Sequence, residues 1–286
     1  MRNISPLRYP GGKSILKFWM KDLLIGNNLS NGLYIEPYAG GAGLALFLLA
    51  NKFVKKILLN DADLAIYSIW YSILNDSDKF ICKIIKTDIN LKEWYKQKEI
   101  IRFKNDTNLT NFDIGFAAFF LNRTNVSGII NGGPIGGIKQ NSKYKIDCRF
   151  NKIDLIKRVE FIASMKNNIE ISNLDAVEFI KKTKFPKKSL IYFDPPYYKK
   201  GSQLYRNFYI HEDHKKLCDV IRNIEIPWLL TYDNCQEILD LYKNYDNFKF
   251  SLRYSASLVK KTTGNELMFY GNIKNISEPV IILQGV

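Results

Sequence analysis

Two short apolar runs bracketing a glycine-rich turn constrain the fold of this chain more than any other feature. Leu33-Tyr34-Ile35-Glu36-Pro37 reads as a strand running into glycines, and Ala42–Asn51 reads as the helix that follows. Lys56–Asp61 is a second strand, again followed by an amphipathic helix near Leu64–Leu74. This strand–helix–strand beginning implies a parallel sheet with helices on its faces. The alternation resumes with a strand at Asn168–Leu174, a short helix at Val177–Lys181 and a buried strand at Ser189–Phe193. A helix near His211–Arg222, a strand at Trp228–Tyr232 and paired strands at Phe248–Tyr254 and Glu266–Tyr270 complete it, the last two joined by a polar turn at Lys260–Gly264.

Residues 76–165 break the alternation. They read as helices at Lys79–Lys86, Leu91–Phe103, Asp113–Leu121 and Lys152–Lys166 around a polar, glycine-rich loop at Arg123–Arg149. The expected division is therefore a catalytic core formed by 1–75 and 166–286, with a helical insert at 76–165. The chain carries a net charge of +14, and residues 79–166 hold 17 basic against 8 acidic side chains. A concentrated basic excess suits a polyanionic partner, although a lysine-rich codon bias would produce part of it.

The strongest local signal is Asp194-Pro195-Pro196-Tyr197, at the carboxyl end of the Ser189–Phe193 strand, where open α/β sheets place ligands. By average residue usage the tetrapeptide arises by chance in roughly one chain per thousand of this length, so a plain strand-to-loop turn is the weaker reading. An exocyclic aromatic amine is a poor nucleophile because its lone pair is delocalised into the ring. A carboxylate (Asp194) and a backbone carbonyl (Pro195) can accept its two N–H bonds and free that lone pair towards a methyl donor. Consecutive prolines stiffen the loop and remove N–H donors, and Tyr197 offers a ring on which an extruded base can stack.

Glu36-Pro37-Tyr38-Ala39-Gly40-Gly41-Ala42-Gly43 lets a cofactor approach the backbone closely, but it is neither a P-loop nor G-x-G-x-x-G. Asp61, some twenty residues on, is placed like an acid that binds ribose hydroxyls. Asp175 ends another strand and could meet a cofactor's adenine, or merely cap a helix. Arg8-Tyr9-Pro10-Gly11-Gly12-Lys13 precedes the first strand and could hold an anionic group.

Taken in order, these motifs resemble the D12 class of DNA adenine-N6 methyltransferases, the family that includes the Dam enzymes. Arg8–Lys13 is similar to its (aromatic)-x-G-G-K opening, Glu36–Gly43 to its E-P-(aromatic)-x-G-x-G loop, and Asn60-Asp61 to its second-strand motif. Asp194–Tyr197 corresponds to its D-P-P-Y, and Leu121-Asn122-Arg123 to the L-N-R that opens its DNA-contacting region. The resemblance spans roughly residues 4–272. It implies a Rossmann-like core that binds S-adenosylmethionine, with an inserted, mostly helical target-recognition domain.

Carried over by position, Tyr9, Gly12 and Lys13 border the cofactor with Pro37, Tyr38, Ala39, Gly40, Gly41 and Gly43; Glu36 lies near its methionine part, Asp61 binds its ribose, and Asp194 touches both cofactor and target base. Arg8 faces DNA, and Asn122, Arg123, Asn125, Lys139, Lys143, Lys145 and Arg149 are candidates for contacting it. After L-N-R, the Dam-type pattern G-x-N-G-L-x-R-Y-N is replaced by Thr124-Asn125-Val126-Ser127-Gly128-Ile129-Ile130-Asn131-Gly132-Gly133, which argues against GATC as target.

The resemblance implies site-specific methylation of double-stranded DNA by base flipping, with a companion restriction endonuclease left open. Methylation of cytosine N4, of RNA or of a protein amide, and a catalytically silent DNA-binding relative, are the competing readings. The four cysteines are scattered singly, so neither a disulfide framework nor a metal site is expected. One protomer carries every motif, which suggests a monomer. With no apolar leader and no long apolar run, a cytoplasmic location is expected.

Overall fold

The computed structural model of the chain describes residues 4–9, 12–199, 209–253 and 263–279. Its centre is a seven-stranded sheet of order β3-β2-β1-β4-β5-β7-β6. The strands are β1 (Leu33–Glu36), β2 (Lys56–Asn60), β3 (Ile169–Ser172), β4 (Ser189–Phe193), β5 (Trp228–Asp233), β6 (Asn247–Arg253) and β7 (Thr263–Gly271). The first five run parallel. β7 lies antiparallel between β5 and β6, so the final hairpin inserts its second strand next to the parallel sheet.

The helices are α1 (Lys17–Gly26), α2 (Gly43–Ala50), α3 (Leu64–Asn75), α4 (Ser77–Lys86), α5 (Leu91–Arg102), α6 (Asn111–Thr124), α7 (Lys152–Ser164), α8 (Ala176–Lys182), α9 (His211–Ile221) and α10 (Gln236–Leu241). The Rossmann-like α/β class expected from the sequence is the one observed. Among the described residues, no helix is long and apolar enough to cross a membrane.

Apolar strands with both faces covered explain the parallel arrangement. Alternate residues feed two cores. Tyr34, Ile57, Leu59, Leu190, Tyr192 and Leu229 face one side with residues of α1 to α7. Ile35, Leu58, Ile191, Phe193 and Leu230 face the other, covered by α8, α9 and α10. The helices of 76–165 thus share one apolar cluster with α1 to α3 and the sheet: the segment is inserted in sequence, yet continuous with the core in packing. Gly115 makes this contact close, since a Cβ there would stand 2.2 Å from the Ser68 carbonyl oxygen of α3. α6 itself starts at a capping box, Thr110 and Asp113 exchanging bonds across its first turn.

Elements α1 and α10 were not anticipated, and Pro10, Gly11, Tyr254 and residues 260–262 of the expected polar turn lie outside the described residues. The strand order reverses between β1 and β4, so the crevice at their carboxyl ends is where such a sheet binds ligands. Glu36 ends β1, and Asp194 follows β4 directly.

Candidate active site

Asp194 is fixed from two sides. Lys13 Nζ donates to its Oδ1 at 2.7 Å and Thr231 Oγ1 donates to the same oxygen at 2.8 Å. Tyr192 supports Thr231, hydroxyl to hydroxyl at 3.0 Å. Among the described residues nothing donates to Oδ2, and the side chain keeps 26% of its surface. One carboxylate oxygen is therefore anchored while the side chain stays partly open to solvent. Asp233, at the end of β5, accepts the backbone N–H groups of Tyr198 and Lys199 at 2.8 and 3.0 Å and so fixes the exit of the Asp194–Tyr197 loop.

Lys13 reaches this point from the short turn Lys13–Leu16 before α1 and is almost wholly buried. Besides Asp194 it approaches Glu266 Oε2 at 3.6 Å and the Tyr197 hydroxyl at 3.2 Å. Burial opposes its charge, but Asp194, then Glu266 and Tyr197, outweigh burial and hold the ammonium well above the usual lysine range. Glu266 is the member of this cluster that sequence reasoning missed. Its signal was a carboxylate directly before the apolar run Leu267–Tyr270 of β7.

The expectation that Tyr197 presents an open ring for stacking is corrected. The ring is only 6% exposed, its hydroxyl donates to Glu266, and Lys13 stands 5.3 Å from its centre. Pro195 is buried and Pro196 half-buried, which keeps the loop rigid.

On the β1 side, Glu36 is buried, and burial pushes its carboxyl up to about 8, with the Tyr34 hydroxyl pulling it down and Asp194 adding to the rise. Gly40 adopts φ +44°, and a Cβ on it would stand 2.7 Å from the ring of Tyr9. Gly41 meets the same residue, and a Cβ on Gly43 would meet Ser14 Oγ at 2.6 Å. The glycines therefore seat the N-terminal segment on the loop, where they were expected to leave room for a cofactor. Gly12 closes the preceding turn with a 3.3 Å bond to the Tyr9 carbonyl.

Asn60 knits the loops together. Its Nδ2 donates to the carbonyls of Pro37 and Leu174, and its Oδ1 accepts from Ser172 and the Leu174 backbone. Ala39 N–H bonds the Asn60 carbonyl at 2.8 Å, while Tyr38 pairs hydroxyls with Tyr209 at 2.9 Å. Asp61 accepts Gly40 N–H at 2.9 Å on one oxygen and Asp63 N–H at 2.9 Å on the other, and burial raises its carboxyl to about 6. Asp175 is exposed and caps α8, its Oδ1 accepting from Val177 and Glu178 N–H.

The structure supports S-adenosylmethionine through the chemistry of its donors. The crevice at the switch point is lined by the buried carboxyl of Glu36 and the half-buried carboxyl of Asp61, neither within salt-bridge distance of a cation among the described residues. A ligand bearing an ammonium and a sulfonium supplies the positive charge that such a pair lacks.

The expected DNA contacts divide into two groups. Asn122 is buried; it accepts Arg8 N–H at 2.8 Å and donates to the Arg8 and Gly128 carbonyls, both at 2.8 Å. Asn125 is fully buried, accepting from Trp94 Nε1 and donating to the Ile129 and Ile130 carbonyls. Arg123 grips the Arg149 carbonyl and donates to Pro6 O at 3.3 Å; burial first, then Arg8 and Arg158, lower its guanidinium to about 10. Asn122 and Asn125 are committed inside the protein and half-buried Arg123 to backbone carbonyls, which corrects their assignment as base readers. Arg8 also turns inward, its guanidinium donating to the Asn125 carbonyl at 2.8 Å, though it stays half-buried. Lys139, Lys143, Lys145 and Arg149 are exposed on the loop between α6 and α7.

The sequence model of one family, described as D12 class N6 adenine-specific DNA methyltransferase, matches residues 9–257. No curated protein matches the sequence. Among solved structures, similarity extends to a Pyrococcus horikoshii protein described as an RNA methyltransferase, at 10% identity and a TM-score of 0.44, covering 92% of this chain and 84% of the other. A SAM-dependent methyltransferase of Agrobacterium tumefaciens is similar at 12% identity and a TM-score of 0.40, covering 91% and 61%. TrmK of M. capricolum, solved with S-adenosylhomocysteine, is similar at 10% identity and a TM-score of 0.36, covering 88% and 68%.

Proposed function

Since the chain belongs to the D12 class of N6 adenine-specific DNA methyltransferases, whose methyl donor is S-adenosylmethionine, we propose that it methylates one adenine in a defined double-stranded DNA site after turning that base out of the helix. The observation that carries this reading is the half-anchored carboxylate of Asp194 beside Glu36 at the switch point.

S-adenosylmethionine supplies the methyl group on a sulfonium sulfur, which leaves with the bonding pair. Asp194 Oδ2 and the Pro195 carbonyl accept the two N–H bonds of the target amine and draw its nitrogen towards tetrahedral geometry. Asp194 then carries the surplus proton away from nitrogen as the new bond forms. Lys13 and Thr231 keep the carboxylate from rotating, and that orientation supplies much of the rate. Glu36 binds the positive methionine part of the donor and Asp61 its ribose.

An amine inside a duplex cannot reach an acceptor set at the foot of a crevice, which is the reason for proposing base flipping. The exposed lysines of the loop between α6 and α7 bind backbone phosphate. With Asn122, Arg123 and Asn125 committed internally, we assign sequence readout to that same loop, and a site other than GATC is expected. The enzyme acts as a monomer, since one chain holds every group used here, and it suits a restriction–modification pair.

Methyl transfer from labelled S-adenosylmethionine to unmethylated genomic DNA, followed by nucleoside analysis, tests this reading. Label is expected in N6-methyladenine. Label in N4-methylcytosine, or in RNA alone, would overturn it.

A further inference from the structure

Glu266 lies inside β7 with its side chain 1% exposed. Alternation along the strand turns it to the same side as Met268, whose partner in register is Thr231 of β5, the residue that donates to Asp194. Its Oε1 accepts from the Tyr197 hydroxyl, and its Oε2 stands 3.6 Å from Lys13 Nζ. Lys13 is thus an ammonium held between two carboxylates, with the nearer bond, 2.7 Å, going to Asp194.

A buried ion pair is commonly no more stable than apolar residues of similar volume. With both carboxylates ionised, Asp194, Lys13 and Glu266 together carry one net negative charge, in surroundings where charge is poorly screened. Methyl transfer places positive charge on the target nitrogen only as the new bond forms, so a fixed negative balance there favours the transition state over the bound substrate. Were Lys13 paired with Asp194 alone, the pair would be neutral and Asp194 a weaker acceptor.

We propose that Glu266 is a positioning residue for methyl transfer: by sharing Lys13 and anchoring Tyr197 it preserves the negative charge of Asp194 and keeps Oδ2 turned towards the target amine. This deepens the function proposed above and rests on it.

Glu266→Gln keeps the shape and the acceptor for Tyr197 but removes the charge. Under single-turnover conditions with both substrates saturating, its transfer rate is expected to fall about tenfold or more. Its dissociation constants for S-adenosylmethionine and DNA, measured by calorimetry, should stay within about twofold of wild type. Glu266→Asp, which retains the charge, should recover part of the rate and serves if the first variant fails to fold. In a Lys13→Met background the effect of Glu266→Gln should largely vanish, because it acts through the lysine.

A Glu266→Gln rate within about twofold of wild type would overturn the proposal. So would a loss matched by weaker cofactor binding, or one that persists in full in the Lys13→Met background. A wild-type enzyme with no transfer to adenine would instead strike the proposed function itself, and this inference with it.

Discussion

Asp194 and Lys13 were legible as motif members, because a carboxylate after an apolar strand and a lysine after a Gly-Gly turn are unusual in sequence. Their direct pairing was not, since it joins residues 181 apart. Glu266 was invisible for the same reason: one acid in a strand says nothing until the sheet order brings it beside Lys13. Glu36 makes a prediction at this scale. Burial moves its carboxyl from 4.5 to about 8, so the folded protein holds a proton that the unfolded chain releases. The stability this brings is full below about pH 4.5 and is lost as pH rises through about 8. Glu36→Gln cannot ionise, so the wild-type melting temperature should fall relative to that of Glu36→Gln between about pH 4.5 and about pH 8 and run parallel to it above. A constant difference between the two melting curves would show that Glu36 does not titrate there.

At the scale of elements, strongly periodic segments were readable, and the missed ones lack start signals. α1 is preceded by a short turn with no side-chain cap, and α10 has six residues behind an uncapped Cys235. The insertion of β7 between β5 and β6 was equally closed to inspection, because the strands of the hairpin are both partly apolar. The end of α6 shows how a motif can mislead. Leu121-Asn122-Arg123 resembles the opening of a DNA-contacting region, but Asn122 and Arg123 strap the N-terminal segment to the helix through Arg8 and Pro6. Arg158 adds a 2.9 Å bond to the Ser5 carbonyl. Asn122→Ala leaves the Arg8 N–H and the Arg8 and Gly128 carbonyl groups without their partner and should lower stability by about 2 kcal/mol, read as a shift in denaturant midpoint. The set of methylated sites should remain unchanged. An altered recognition sequence at undiminished stability would return Asn122 to base reading.

For the whole molecule, alternation of strands and helices was enough to place the crevice, because a parallel sheet with a strand-order reversal binds ligands there whatever its detail. The expected split into core and insert was harder to read. Residues 76–165 leave the alternating pattern, yet α4 to α7 bury their apolar faces in the cluster that covers the sheet. Continuity of the core ties the basic loop between α6 and α7 to the Asp194–Tyr197 loop by way of the N-terminal segment. That segment is held by Asn122 at Arg8 and by Asp194 at Lys13. The sequence carries a charge of +14, but which of those charges meet phosphate is a matter of exposure, and exposure emerges from the fold.

The Asp194 carboxylate, half anchored and half presented, is what the proposed reaction depends on most. The measurement that tests it is the single-turnover rate of methyl transfer to adenine by Asp194→Asn, with S-adenosylmethionine binding followed on the same preparation. The expected result is a rate lower by about a hundredfold or more with the cofactor still bound. Transfer at the wild-type rate by the folded variant would contradict it.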